Sequence, residues 1–175
     1  ILGTDSTGRD LLSRIIYGAR VSLTVAVIGI TISAVFGTLM GLIAGYFGGL
    51  IDLIIMRIVD VMMSLPVLFM ALALAAVIPA GMGIIILIVS VFGWVHFARI
   101  LRGEVLSLKE RDFVALARVA QASPTRIIFR HILPNLVNTL TVLATLDIGG
   151  VIMFEAGFSF IGFGVQPPTP SWGNI

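Results

Sequence analysis

Apolar residues run through this chain in long blocks, separated by short polar or turn-rich interruptions. No charged side chain occurs between Val21 and Ile51, and none between Val61 and Ala98. A helix needs roughly 20 apolar residues to cross about 30 Å of hydrocarbon. The first block therefore predicts a span over 21–46. The second is interrupted by Ile-Pro-Ala-Gly-Met-Gly at 78–83, a turn signal, and predicts a hairpin of spans over 61–78 and 82–101. A fourth span is predicted over 136–158, with Asp147 and Glu155 inside it.

The connections have patterns of their own. Gly29, Gly37, Gly41 and Gly45 are spaced by eight and four residues, a small-residue stripe that lets helix backbones approach closely in lipid. Residues 47–60 place Asp52, Arg57 and Asp60 among apolar neighbours at near-helical spacing, which predicts an amphipathic entry at the interface. Arg57 and Asp60, three apart, are positioned to pair on that helix. After the fourth block, Ser-Phe-Ile-Gly-Phe-Gly-Val-Gln-Pro-Pro-Thr-Pro-Ser-Trp-Gly (159–173) predicts an ordered loop from its Gly and Pro content.

Composition turns these blocks into a fold class. Hydrophobic residues make up 58% of the chain and charged residues 11%, against about a quarter charged in soluble domains. The expectation is an all-α integral membrane protein, a polytopic helix bundle with about four spans. Without cysteine, disulfides and thiolate metal sites are excluded. The opening Ile-Leu-Gly-Thr and closing Pro-Ser-Trp-Gly-Asn-Ile both read as cut from a longer protein.

Charge then orients the spans. Arg99, Arg102, Lys109, Arg111, Arg118, Arg126 and Arg130, against Glu104, Glu110 and Asp112, give residues 99–131 a surplus of +4. Short loops rich in Lys and Arg are retained in the cytoplasm. Alternation then puts 47–60 inside, with 79–83, 1–20 and 159–175 outside. Arg9, Arg14 and Arg20 oppose that placement, and Asp5 and Asp10 offset them only weakly, because acidic residues contribute little to the rule.

The basic stretch has helical periodicity. Phe113, Leu116, Ala117 and Ala120 fall at i, i+3, i+4 and i+7, while Arg111, Ala115 and Arg118 occupy another face. Ser123-Pro124 reads as a helix start, because Ser caps orphan N–H groups and Pro suits the first helical position. A second helix over about 124–132 would then run through Leu133-Pro134-Asn135 into the fourth span. Two short helices with a tight joint make a rigid shape that transmits a push. The competing reading is a surface helix whose arginines bind anionic lipid. A modest apolar face and a stiff joint with no use in adhesion count against it.

These residues resemble the coupling segment of the membrane subunits of binding-protein-dependent ABC importers, where Glu-Ala-Ala is followed by Gly and an apolar run ending in Leu-Pro. The resemblance rests on Phe113, Val114, Ala117, Arg118, Ala122, Ser123 and 126–135. It extends through residues 2–23, 41–49, 56–66 and 159–173, which are similar to the second permease subunit of the peptide, opine and nickel branch. The chain departs from the pattern where Ala115 replaces the Glu, Leu116 the first Ala, and Gln121 the Gly. Gly turns more cheaply than Gln, so the bend is expected later, at Ser123-Pro124.

The resemblance implies that 1–175 is a permease domain lacking the first and last of six spans, with a cytoplasmic coupling region at 102–133. It implies a prokaryotic inner membrane, a second permease subunit, two ATPase subunits and an extracytoplasmic binding protein. Phe113, Val114, Ala115, Leu116, Ala117, Arg118 and Gln121 would form the ATPase contact, with Arg126 and Arg130 shared between ATPase and lipid phosphate. The substrate would be a dipeptide, oligopeptide, opine or nickel chelate. No G-x-x-x-x-G-K-[ST] cradle occurs, so ATP and Mg would belong to partner subunits and this chain would bind no cofactor.

Asp147 and Glu155, eight apart, are expected on one face of the fourth span. Intramembrane carboxylates are costly and face a cavity or a partner. They would either line the substrate path or, alternatively, pair within the bundle (Asp147) and reach interfacial water (Glu155). Asp60 and His96 are weaker candidates near span ends. Two histidines 35 residues apart offer no metal shell. A proton-coupled secondary transporter using Asp147 and Glu155 remains the alternative, though it leaves the basic elbow without a task. Without HExxH or GxSxG, an enzyme is disfavoured.

Overall fold

A computed structural model describes residues 2–4 and 8–175. Asp5, weighed above in the charge balance, lies outside the described residues. The chain is nearly all helical: α1 (Leu11–Phe47), α2 (Gly49–Ser64), α3 (Val67–Ala75), α4 (Met82–Lys109), α5 (Asp112–Val119), α6 (Pro124–Ile127), a π-helical turn (Ile128–Ile132) and α7 (Leu133–Phe160). Among the described residues, three helices are long and apolar enough to cross a membrane, and a fourth crossing arises if the bent pair α2 and α3 is one span.

The predicted blocks are all helical, but their ends differ. α1 begins ten residues before the predicted span, so Arg14 and Arg20 belong to its first turns rather than to a loop. Asp10 starts it, its Oδ2 accepting from Ser13 N at 3.0 Å and Ser13 Oγ at 2.5 Å. These bonds hold the Asp10 carboxyl below the ordinary aspartate range. The cap is therefore present above that range and is lost as pH falls through the lowered value. α1 and α2 are separated at Gly48 and Gly49, whose φ of 68° and 57° only glycine adopts without penalty.

The predicted second span, 61–78, is broken. Pro66 has no N–H and pushes its predecessor out of the helical region. Leu65 accordingly sits at φ −90°, ψ 129°, and α2 and α3 meet at 80°. The third span runs on to Lys109, so Arg99 and Arg102 lie inside α4 rather than at its end.

The described residues divide into two compact units: 1–31, 66–91 and 146–175 form one; 32–65 and 92–145 form the other. In the first, Val25, Ala26, Ile84, Ile85, Ile88 and Phe158 are buried. A Cβ at Gly29 would lie 2.7 Å from Val89 Cγ1. In the second, Val59, Trp94, Val95 and Ala98 form a buried cluster against which Met40, Met56 and Met62 pack. There the stripe meets α4 directly. A Cβ at Gly37 would fall 2.5 Å from the Trp94 carbonyl, one at Gly41 2.9 Å from the Ala98 carbonyl, and one at Gly45 2.8 Å from Val105 Cβ. The predicted close approach of backbones is real at all three.

Ion pairs brace the same unit. Arg102 forks onto Asp52, Nε to Oδ1 and Nη2 to Oδ2, each at 2.5 Å. Asp60 pairs with Arg99 of α4 and not, as its spacing predicted, with Arg57. A partner across the helix interface won over the helical neighbour because α2 packs its Val59 against Trp94, Val95 and Ala98 of α4, which brings Arg99 to Asp60.

Candidate functional site

The elbow between α4 and α7 begins where Arg111 takes an extended conformation. In α5, Asp112 lies in the first turn and Arg118 in the last, both in the favourable sense for the helix dipole. The helix ends in two bonds: Ala122 N donates to Ala117 O at 3.0 Å, and Gln121 N to Arg118 O at 2.9 Å. This is the double closure of a Schellman cap, which demands a left-handed residue between the helix and the next segment. Gln121 is that residue, at φ 55°.

The expected postponement of the bend is thus corrected. The turn stays at Gln121, and the carbonyls satisfied by the cap offset the strain of a left-handed side chain. Ser123 opens the next helix two residues later, accepting from Arg126 N at 3.4 Å with Pro124 at its first position. The elbow is two caps back to back. Gln121→Gly should remove about 1 kcal/mol of left-handed strain, less the entropy gained by the unfolded chain. Gln121→Val should lose stability instead. Thermal unfolding of the purified protein in detergent, read by helical circular dichroism, orders the two variants and the wild type.

Beyond α6 the helix widens. Leu133 N donates to Ile128 O, five residues back. Pro134 explains this: it offers no N–H and its ring would strike the Arg130 carbonyl of a regular α-helix. A π turn moves that carbonyl away. Asn135 Nδ2 bonds the His131 carbonyl at 2.6 Å. The second predicted helix is therefore four residues of α-helix and one π turn, continuous with α7.

The elbow's surface divides sharply. Val114 is fully buried, as are Ile127 and Ile132 at 2% exposure or less. They hold the elbow onto its unit. Leu116 is 68% and Val119 82% exposed. Phe113, Leu116, Ala117, Ala120, Ala122, Arg126 and His131 line an open hollow of about 390 Å³ whose wall is mostly apolar. Of the predicted contact residues, Phe113, Leu116 and Ala117 share this hollow. Ala115 and Arg118 are exposed, and Gln121 forms the turn. Val119 and His131 went unnoticed in the sequence. His131 lies within the π turn, which periodicity cannot signal.

The two carboxylates of α7 stand in different surroundings. Asp147 is half-buried. Glu155 is fully buried, its Oε2 accepting from Ser22 Oγ at 2.6 Å and its Oε1 from Ser159 Oγ at 2.7 Å. His96 is exposed on α4.

Comparison with known proteins gives one consistent likeness. A family model described as "binding-protein-dependent transport system inner membrane component" matches residues 37–175. The chain is 42% identical over 174 residues to the glutathione transport system permease protein GsiD of Pectobacterium atrosepticum, covering 99% of this chain and 58% of that one. It is 40% identical over 173 residues to the dipeptide permease DppC of Alkalihalophilus pseudofirmus, covering 99% and 57%. The oligopeptide permease OppC of Haemophilus influenzae gives 40% over 173 residues, covering 99% and 56%. The chain thus spans less than two thirds of the length of these curated relatives.

Proposed function

Because the chain belongs to the family of inner membrane components of binding-protein-dependent transport systems, we propose that it is the membrane-spanning permease part of an ATP-driven importer of peptide-like solutes. The observation that carries this reading furthest is the elbow. An exposed apolar face, Phe113, Leu116, Ala117 and Ala120, is held by two adjacent caps at the head of a span-length helix that runs from Pro124 to Phe160. Such a surface seats in the groove of another protein, with Arg118 and Arg126 fixing register at its rim. Displacing it moves α7 as a lever.

The motor is a separate pair of ATPase subunits, which hold the ATP and Mg. Nothing in this chain's sequence cradles a nucleotide, so it is a conduit and not an enzyme. Residues 99–131 face the cytoplasm and 159–175 the exterior, where a binding protein delivers solute. In the window of the helix from Pro124 to Phe160 only 6% of residues are buried. That open face supports a second permease subunit beside α7, with lipid elsewhere. Relatives named for glutathione, dipeptides and oligopeptides support a short peptide with free termini as substrate. Asp147, half-buried within a span, is the residue we assign to the path, where a carboxylate attracts a peptide amino terminus. Family membership runs against proton-driven transport.

Right-side-out vesicles carrying the whole complex, with ATP enclosed and the binding protein added outside, test the reading with glutathione and dialanine as probes. Uptake should require ATP and the binding protein and survive a proton uncoupler when ATP is supplied. Uptake that ignores ATP and collapses with the uncoupler would overturn it.

A further inference from the structure

Segment 161–175 is anchored by a buried carboxylate. Glu155 accepts both serine protons, and each serine oxygen accepts a backbone N–H of the segment: Val165 N to Ser159 Oγ at 3.0 Å, Trp172 N to Ser22 Oγ at 3.3 Å. The order of donors matters. A serine hydroxyl points its proton where the best acceptor lies, and each hydroxyl here lies within 2.7 Å of a Glu155 carboxyl oxygen. With both protons drawn toward Glu155, both serine oxygens turn lone pairs outward to the segment. One side chain of α7 thereby fixes contacts at two points seven residues apart in the segment and ties them to α1.

The anchored segment is tightly built around those points. Asn174 Nδ2 donates to the carbonyls of Val165 and Thr169, each at 2.9 Å, and its Oδ1 accepts from Ser171 N at 2.9 Å. Arg14 Nη2 reaches the Asn174 carbonyl at 3.2 Å, and Trp172 Nε1 reaches the Ile15 carbonyl at 3.1 Å. A Cβ at Gly173 would lie 2.5 Å from the Ala156 carbonyl. Gln166 and Trp172 remain exposed.

We infer that Glu155 is a positioning residue, which pins segment 161–175 in the conformation that receives the solute-delivering partner. Resting on the importer reading, this assigns Glu155 to the affinity of that encounter rather than to the solute path. A buried carboxylate that exists to hold hydroxyls need touch neither solute nor motor. Its loss loosens the segment while the elbow, in the other unit, keeps its own caps.

Two readouts on the full-length subunit in its assembled complex test this. With 5-hydroxytryptophan placed at position 172 alone and excited beyond the tryptophan band, acrylamide quenching at that position measures how firmly the segment is held. Glu155→Ala should raise the quenching constant about twofold or more, with Ser159→Ala and Ser22→Ala each giving part of the rise. Glu155→Gln should fall between, because its amide keeps one serine proton and reverses the other bond. In transport, Glu155→Gln should raise the half-saturating concentration of binding protein by about fivefold, with the maximal rate within about twofold of wild type. Glutathione and dialanine again serve as probes. Unchanged quenching in Glu155→Gln, Ser159→Ala and Ser22→Ala would overturn the pin. So would a fall in maximal rate at unchanged half-saturation, which would return Glu155 to the path. Wild-type protein that imports neither probe with ATP would instead count against the importer reading, and quenching would still decide the pin.

Discussion

Gly37→Leu is expected to leave little folded protein in the membrane. A Cβ alone at this position meets the Trp94 carbonyl at 2.5 Å and Phe97 Cβ at 2.6 Å. Neither is the free end of a flexible side chain, so relief requires α1 and α4 to separate. Within lipid, helices are held by van der Waals packing, interhelical hydrogen bonds and lipid entropy, without the hydrophobic drive available in water. Overpacking of a tight core costs about 1–3 kcal/mol. Separation here would also loosen Phe36 from Trp94, whose rings meet edge to face at 5.1 Å. Gly37→Ala should already lose stability, and leucine should push the subunit to degradation. Gly103→Ala on α4 is the contrast, because nothing lies within 4 Å of the added Cβ. That variant should hold or gain up to about 1 kcal/mol from helix propensity. Membrane abundance and detergent melting of the three variants check the order, and equal stability of Gly37→Leu and Gly103→Ala would refute the packing account.

Leu116→Asp should have the largest effect on function with the least on folding. The side chain is 68% exposed, and exposed substitutions usually change stability by no more than about 0.5 kcal/mol. In the proposed complex the same side chain enters an apolar groove beside Phe113, Ala117 and Ala120. An unpaired carboxylate placed there costs several kcal/mol, enough to weaken the contact by about a hundredfold or more. Uptake should fall below a tenth of wild type while insertion and melting stay normal, with ATP hydrolysis no longer stimulated by the binding protein. Leu116→Met should pass nearly unchanged. Val114→Asp, two residues away and fully buried, should instead damage folding. Wild-type uptake by Leu116→Asp would remove the elbow from the coupling mechanism.

The contrast between Leu116 and Val114 shows where sequence and structure divide the work. Periodicity placed Phe113, Leu116, Ala117 and Ala120 on one face, because hydrophobic spacing and helical geometry share a period. It could not say which apolar face turns inward. That was decided by Val114, Ile127 and Ile132 packing against their own unit, which leaves the other face bare. The bend itself was misplaced. The cost of a left-handed Gln is readable from residue type, whereas the bonds to Ala117 and Arg118 that offset it appear only once the next helix is in place.

Local chemistry settled much of this protein in one dimension: four apolar blocks, the small-residue stripe on α1, the Ser123-Pro124 start and the charge surplus of the elbow. These follow from residue type and spacing, because backbone hydrogen bonds must be satisfied within a segment that crosses lipid. Tertiary structure decided the pairings. Asp60 went to Arg99, Asp52 to Arg102, and Glu155 to two serines, one of them 133 residues earlier in the chain. Such partners are set by which helix surfaces meet, and no periodicity along one helix carries that information.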